Sequence, residues 1–127
     1  MSSVSYIQYI DYLTGVTVVS PHMGQHGWPF ASADSFPGAE KDPHNNAQHI
    51  KDIYLKIDPE MTARFTVPML WDTKEKTIVN NESAEIIRMF NSEFDEIAVN
   101  PIDLYPADDR KEIDELNDWV YNTVNSK

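Results

Sequence analysis

The chain has 127 residues, of which 41% are hydrophobic and 11% aromatic, a composition typical of one globular domain with a modest core. Its net charge of −11 argues against nucleic acid and anionic membranes as partners, because both would repel such a surface. The absence of cysteine excludes disulfides, thiolate metal sites and thiol chemistry from these residues. No apolar run reaches membrane-spanning length and no signal-peptide pattern occurs, so we expect a cytoplasmic location.

The first segment, residues 1–13, allows two interpretations. Apolar side chains recur at helical spacing and predict an amphipathic helix, which is the interpretation we adopt. These side chains are Tyr6, Tyr9, Ile10 and Leu13. Residues 5–10 are also strand-prone and could fold back as an antiparallel strand, and the pattern does not decide between the two.

Residues 16–20 form a β-branched run ended by Pro21, which predicts a short strand. The loop that follows, residues 21–43, is rich in glycine and proline, and loops of this length are often functional. It contains Trp28, an aromatic side chain that either contacts a ligand or pins the loop to the core.

A second amphipathic helix is predicted over residues 47–57, stopped by Asp58 and Pro59. Its apolar face consists of Ile50, Ile53, Tyr54 and Ile57. Such a helix is expected to cover one face of a sheet.

Residues 67–71 and 77–79 are β-prone runs separated by a polar turn, a pattern that predicts a β-hairpin. Polar residues 80–83 then precede a new apolar helical face, so we expect a helix to begin near Ser83. That face consists of Ile86, Met89 and Phe90.

This arrangement suits a peptide-like ligand. The first N–H groups of the helix lack intrahelical partners and lie at the positive end of its dipole, which favours a carboxylate there. Pro68 has no N–H, so a gap opens in the strand ladder at Val67 and Pro68. We predict that the bond between them is cis and that the Val67 backbone then faces outward to pair with a ligand.

The last part of the chain is strongly acidic from residue 91 to residue 118, and such a run is typical of a solvated face or linker. Pro101 and Pro106 lie within it. A last helix is predicted from the apolar residues Ile113, Leu116, Val120 and Val124.

We expect the histidines to be exposed to solvent and not to form a metal site, because no regular element supplies a third ligand beside them. They are His22, His26, His44 and His49. We therefore predict no metal cofactor.

Five motifs occur in order along the chain: GWPF at residues 27–30, RFTVP at 64–68, NESAEIIRMF at 81–90, DLYP at 103–106 and IDELNDWVY at 113–121. Together they closely resemble the glutathione-binding half of the thioredoxin-like domain, the N-terminal domain of glutathione transferases, most of all that of the glutathionyl-hydroquinone reductases of the Xi class. The resemblance covers nearly the whole chain, roughly residues 15–125, and the shared order makes it specific.

The resemblance implies an α/β fold, the thioredoxin-like domain of the glutathione transferases, over residues 15–98. The first strand of that domain is missing or replaced by the unrelated residues 1–14. Residues 99–127 are expected to be an acidic linker and the first helix of a truncated all-α domain. Unpaired strand edges and an exposed apolar face on the last helix would make the chain marginally stable or prone to self-association. We therefore expect that the chain can form a homodimer.

The resemblance also implies a glutathione site. Ser83 and the adjoining N–H groups would bind the γ-glutamyl carboxylate and Glu82 the α-amine, while the Val67 backbone pairs with the cysteinyl segment. Further implied contacts come from Trp28, Arg64, Phe65, Thr66 and Pro68, with Arg64 reaching toward the glycine end. The alternative is that Glu82 and Ser83 only cap the helix and Arg64 only pairs with a surface carboxylate.

The resembled reductases carry a Cys-Pro-Trp motif whose thiolate removes glutathione from glutathionyl-hydroquinones, and this sequence lacks it. We therefore expect a glutathione-binding chain that is impaired in cysteine-dependent chemistry. One alternative is an enzyme that uses glutathione, its cosubstrate, as the nucleophile. The other is a non-catalytic glutathione-binding or dimerisation module.

Overall fold

The computed structural model of the chain describes residues 14–96 and 102–125. The two interpretations of residues 1–13 therefore lie outside the described residues. Within them, regular elements follow in the order α1 (Ile50–Ile57), β1 (Leu70–Asp72), β2 (Thr77–Asn80), α2 (Ser83–Ser92), α3 (Arg110–Val120) and a π-helical segment (Tyr121–Asn125). The chain divides into two compact units, and the division falls after Ser83, one residue into α2. The predicted domain limits at residues 14/15 and 98/99 stay a prediction.

The core of the first unit is built on α1. Its buried side chains are Phe30, Ala47, Ile50, Ile53 and Tyr54. Around them pack the half-buried Val19, Trp28, Met61, Phe65, Val67, Met69, Trp71 and Ile78. The predicted apolar face of α1 is therefore confirmed except at its end, where Ile57 is 41% exposed.

The helix α1 begins at Ile50, three residues later than the sequence pattern predicts. The backbone of His49 is extended, with a φ of −134° and a ψ of 155°, and the Gln48 carbonyl accepts from the Phe30 N–H, so these two residues pair with the loop. Asp42 organises a turn by accepting hydrogen bonds from the backbone N–H groups of His44, Asn45 and Ala47. At the other end, the N–H of Asp58 closes the last turn on the Tyr54 carbonyl, so the predicted stop is confirmed.

The predicted hairpin is confirmed, with β1 and β2 paired antiparallel. Its first strand begins at Leu70 rather than at residue 67. Pro68 cannot donate to the ladder, and the ladder forms only beyond it. The Val67–Pro68 bond is cis, as predicted. In the turn, Asp72 Oδ1 accepts from the N–H groups of Lys74 and Glu75, both at 2.8 Å.

The predicted strand over residues 16–20 is wrong. Its backbone bonds to separate loop positions instead of to a neighbouring strand: the N–H of Ser20 donates to the Pro29 carbonyl and the N–H of Glu40 to the Val18 carbonyl, both at 2.8 Å. Val18 N–H donates to the Glu40 carboxylate. A strand needs a partner along its length, and the only sheet among the described residues is the hairpin.

The loop over residues 21–43 is held by Asp34. The buried Ser20 hydroxyl donates to Asp34 Oδ2 at 2.6 Å, and the His22 Nδ1 lies 3.2 Å from the same oxygen. The His22 ring also packs edge-on against Phe36. These contacts join both ends of the part of the loop that contains Trp28, so one carboxylate contributes to holding that part of the loop closed.

Asp34 is expected to contribute to stability at neutral pH and not in acid. The hydrogen bond from Ser20, together with His22, holds the pKa of the Asp34 carboxyl below its usual range. A lowered folded-state pKa stabilises the fold above the unfolded value, about 4, and this contribution is lost as the pH falls below it. Asp34→Asn should therefore lower the urea midpoint at pH 7, and the gap to wild type should shrink in acid, as the pH falls below about 4.

The control is Asp108→Asn, which changes an exposed carboxylate in the same way. It should leave the urea midpoint unchanged at pH 7 and in acid. An Asp34→Asn variant as stable as wild type at pH 7 would show that the loop does not depend on this carboxylate.

The second unit consists of most of α2, α3 and the segment between them. Ile86 is buried and Met89 and Phe90 are half-buried, which confirms the predicted face of α2. In α3, Leu116 is 58% and Trp119 61% exposed, so much of its apolar stripe faces solvent. No helix among the described residues is long and apolar enough to cross a membrane.

A polar cluster holds α2 and α3 together through Tyr105. The Tyr105 hydroxyl donates to Asp114, which also receives the Arg88 guanidinium. The same guanidinium lies 4.5 Å from the centroid of the Tyr105 ring, and Arg110 lies 5.1 Å from it. The bond to Asp114 raises the pKa of the Tyr105 hydroxyl, because ionisation would place two negative charges together. The DLYP motif therefore joins the two helices.

Candidate functional site

Thr66 lies where three parts of the first unit meet. Its carbonyl accepts a hydrogen bond from the hydroxyl of Tyr54 on α1, at 3.0 Å. Its own Oγ1 accepts from the side-chain amide of Asn81, at 3.2 Å. The residue before Val67 is thereby tied to the core on one side and to the segment that precedes α2 on the other.

The segment before β1 presents its backbone outside the hairpin ladder. Val67 is half-buried and packs on the core, while Pro68 is exposed. Phe65 packs against Tyr54 with ring centroids 5.7 Å apart. Because β1 begins only at Leu70, the peptide groups around Val67 lie outside the hairpin ladder, and this segment, the Val67 edge, offers backbone groups to a ligand peptide.

Trp28 is fixed beside α1 through its backbone. Its carbonyl accepts from the N–H of Ile50 at 2.9 Å, and the next residue, Pro29, pairs with His49 in an isolated bridge. The indole is half-buried and packs against the same core as Val67. Trp28 therefore does pin the loop to the core, and its remaining exposed surface is free to contact a ligand.

Glu82 and Ser83 are exposed at the beginning of α2. The N–H of Glu82 donates to Asn80 Oδ1 at 2.8 Å, which satisfies a backbone donor just before the helix. Asn81, which precedes this pair, contacts Thr66, so the first unit brings the pair to the Val67 edge. An exposed hydroxyl at a helix start can donate to a carboxylate, and an exposed carboxylate can bind an amine.

Arg64 is a predicted glutathione-binding residue whose side chain is not linked to the other predicted residues by a hydrogen bond or ion pair in the described part of the chain. Its side chain is exposed, and it forms no ion pair with any residue in the described part of the chain. The alternative that it pairs with a surface carboxylate therefore has no support in these residues. Its position two residues before Thr66 leaves it able to reach a ligand on the edge.

Tyr54 and Asn81 are the residues of the site that the sequence analysis missed. The helical pattern places Tyr54 in the core, and its hydroxyl is the signal for a further role, because a buried tyrosine usually finds a hydrogen-bond partner. The sequence pattern around Asn81 predicts only a polar helix start. Its contact with Thr66 spans 15 residues, and no local pattern identifies such a pair.

The histidines are not assembled into a metal site. No group of three side chains in residues 14–96 and 102–125 could hold a metal ion. His49 differs from the prediction of solvent exposure, since its side chain is only 19% exposed and its ring lies 5.6 Å from that of His26. Lys51 Nζ lies 3.4 Å from the His26 Nδ1, which adds a third basic group there.

No protein-family model matches this chain. Glutathionyl-hydroquinone reductase YqjG of Escherichia coli is 50% identical over 117 residues, which are 92% of this chain. The crystal structure of the glutathione S-transferase Xi from Phanerochaete chrysosporium is 57% identical and matches 96% of this chain with a TM-score of 0.90. The chain belongs to the glutathionyl-hydroquinone reductase family, the Xi class of glutathione transferases.

The match to the Xi class covers only part of each relative. The chain spans 35% of the length of the Escherichia coli reductase and 42% of the Phanerochaete transferase chain. A further structure, the glutathione-bound form of the Escherichia coli protein, is 51% identical with a TM-score of 0.81 over 87% of this chain. The helices and the two-stranded antiparallel sheet fit the thioredoxin-like fold of glutathione transferases. That its first strand is missing or replaced stays a prediction.

Proposed function

We propose that the first unit of this chain recognises glutathione, the cosubstrate of its family. The observation that carries the proposal is the Asn81 to Thr66 hydrogen bond, which joins the Glu82–Ser83 pair to the Val67 edge. A structure of the Escherichia coli relative is described as glutathione-bound, and it is 51% identical to this chain.

Each end of glutathione finds a chemical partner in this arrangement. Its γ-glutamyl head has an amine and a carboxylate on one carbon, which suit the Glu82 carboxylate and the Ser83 hydroxyl with its helix N–H groups. The cysteinyl peptide pairs with the Val67 backbone in the manner of an added strand. The glycine carboxylate extends toward Arg64.

Four further side chains complete the proposed site. Trp28 and Phe65 supply half-buried aromatic surface beside the ligand, and Pro68 leaves the edge without a competing donor. Thr66 supports the edge from beneath through its contacts with Tyr54 and Asn81. The site contains no metal ligand in this proposal.

The relatives are named as reductases of glutathionyl-hydroquinones and as transferases, and we propose a glutathione-dependent reaction on quinone-type substrates for the protein to which these residues belong. Residues 1–127 contain no cysteine, so they contribute recognition and no protein thiolate. Any thiolate nucleophile that acts within these residues must be that of glutathione itself.

A non-catalytic binding or dimerisation module is the second candidate. It is favoured by the exposed apolar side chains of the last helix and of the segment after it, among them Leu116, Trp119 and Val124. Exposed apolar surface of this kind is typical of an interface with protein. Glutathione recognition is common to both candidates.

Ser83→Ala and Glu82→Gln test the proposed site. Loss of the Ser83 hydroxyl or of the Glu82 charge should weaken glutathione binding by about 1 to 3 kcal/mol, or roughly 5- to 150-fold, because one end of the ligand head loses its partner. The matched control is Ser92→Ala, at the opposite end of α2, which should leave the affinity unchanged.

The measurement is an NMR titration of the 127-residue chain with reduced glutathione. With contacts from these residues alone, we expect a Kd on the order of 1 mM, about −4 kcal/mol. Affinity that is equal in wild type, Ser83→Ala and Glu82→Gln would assign the ligand head to other groups. A wild-type chain that shows no binding up to tens of millimolar would contradict the proposed function.

A further inference from the structure

Thr66 is held from two sides by unlike residues. Tyr54, which is 3% exposed, binds the Thr66 carbonyl, whereas Asn81 is exposed and binds only the Thr66 hydroxyl. The first contact anchors the edge to the core. The second adds to the hairpin pairing of Leu70 with Asn80 a direct tie between the edge and the residues at the start of α2, and it can be removed without opening the core.

That spacing matters because of the linkage in glutathione. In a γ-glutamyl peptide, the amine and carboxylate of the head share one carbon, which two methylene groups separate from the first amide. In the α-glutamyl isomer, the amine lies next to that amide, and the free carboxylate is at the end of the side chain. Only the γ-isomer can present both groups to Glu82 and Ser83, which are neighbours in the chain, while its cysteinyl peptide stays on Val67.

We propose that Asn81, through its hydrogen bond to Thr66, is the positioning residue that makes this site select γ-glutamyl peptides over their α-glutamyl isomers. The inference rests on the proposed function. In this proposal, selection between the isomers comes from the distance between two subsites, the Glu82–Ser83 pair and the Val67 edge. When the distance is fixed, a ligand that engages one subsite is presented to the other at high effective concentration. Without the hydrogen bond from Asn81 to Thr66, binding of the γ-glutamyl head favours binding of the cysteinyl peptide less strongly. The ratio of the affinities for the γ- and α-isomers then falls.

The experiment compares two tripeptides of identical composition, γ-Glu-Cys-Gly and α-Glu-Cys-Gly, by NMR titration with thiols kept reduced. The variants are Asn81→Ala, Thr66→Val and the double variant, because valine retains the shape of threonine without its hydroxyl. The control is Asn122→Ala, which removes a different exposed amide, one that donates to the Asp118 carbonyl. Thermal unfolding of each variant measures any loss of the fold.

We expect Asn81→Ala to weaken binding of the γ-isomer about 5- to 20-fold and to leave the α-isomer almost unchanged, a loss within the usual range for one hydrogen bond. Thr66→Val should act alike. The double variant should be no weaker than either single variant, because both changes remove the same contact. Asn122→Ala should retain the wild-type preference.

Equal weakening of both isomers would show a merely structural role for Asn81 and overturn the inference. An unchanged preference in Asn81→Ala would overturn it too, even where wild type binds glutathione well. Wild type that binds γ-Glu-Cys-Gly no better than its isomer would also overturn it while leaving glutathione recognition intact. A wild type that binds neither isomer would refute the proposed function and this inference together.

Discussion

The 127-residue chain is expected to show no cysteine-dependent turnover of glutathionyl-hydroquinones. Such a step requires a protein thiolate to attack the glutathionyl adduct, and the chain contains no cysteine. Its five methionines are thioethers, which do not ionise to a thiolate. Loss of a catalytic nucleophile can lower kcat by about 10⁶-fold, so the rate should fall several orders of magnitude below that of an intact relative.

The informative comparison is a fusion that places a family-like strand and a Cys-Pro-Trp helix in front of Gly15. We expect the fusion to turn over glutathionyl-hydroquinones, and a matched fusion with serine in place of that cysteine to be inactive. This pair separates the effect of the thiol from any effect of a more complete fold. Turnover by the unmodified chain at the rate of an intact relative would show that the chemistry depends on a different group.

Ile53→Ala should destabilise the first unit by about 2 to 5 kcal/mol. The Ile53 side chain is 2% exposed at the centre of the core, and its truncation removes buried apolar surface and leaves a cavity. Small domains are stable by only about 5 to 15 kcal/mol, so this one change removes a large fraction of the total. The expected result is a lower urea midpoint, followed by circular dichroism.

Ile57→Ala is the matched control, because it makes the same chemical change one turn later on the same helix. Ile57 is 41% exposed, and its truncation should cost less than about 1 kcal/mol. Both substitutions replace isoleucine by alanine, the better helix former, so any difference between them reflects burial. Equal effects of the two changes would show that α1 does not pack as described.

The sequence correctly predicted the helix α1 and the hairpin, because the features that define them lie within a few neighbouring residues. The apolar spacing of Ile53 and Tyr54 depends only on the period of a helix, and Pro59 stops that helix through its own backbone chemistry. The hairpin followed from two β-prone runs around a turn in which Asp72 binds the backbone. The ordered motifs identified the family, because several of them agree in one order along the chain.

Elements that depend on distant partners were not predictable in this way. Residues 16–20 have the composition of a strand, but their backbone found Pro29 and Glu40 in loops instead of a neighbouring strand. The helix α1 began late because the Ala47 N–H belongs to a turn organised by Asp42, and Gln48 and His49 pair with Phe30 and Pro29 of the loop. A strand exists only with a partner, and the partner is a property of the fold.

For the candidate site, the sequence by itself determined which groups are present: a carboxylate and a hydroxyl at Glu82 and Ser83, and a proline-interrupted edge at Val67. Tertiary structure decided that the two lie together. Tyr54 and Asn81, 12 and 15 residues from Thr66 along the chain, meet it from opposite sides. Hydrogen bonds between segments form only after the core has brought them within 3.2 Å, and side-chain composition carries no record of that distance.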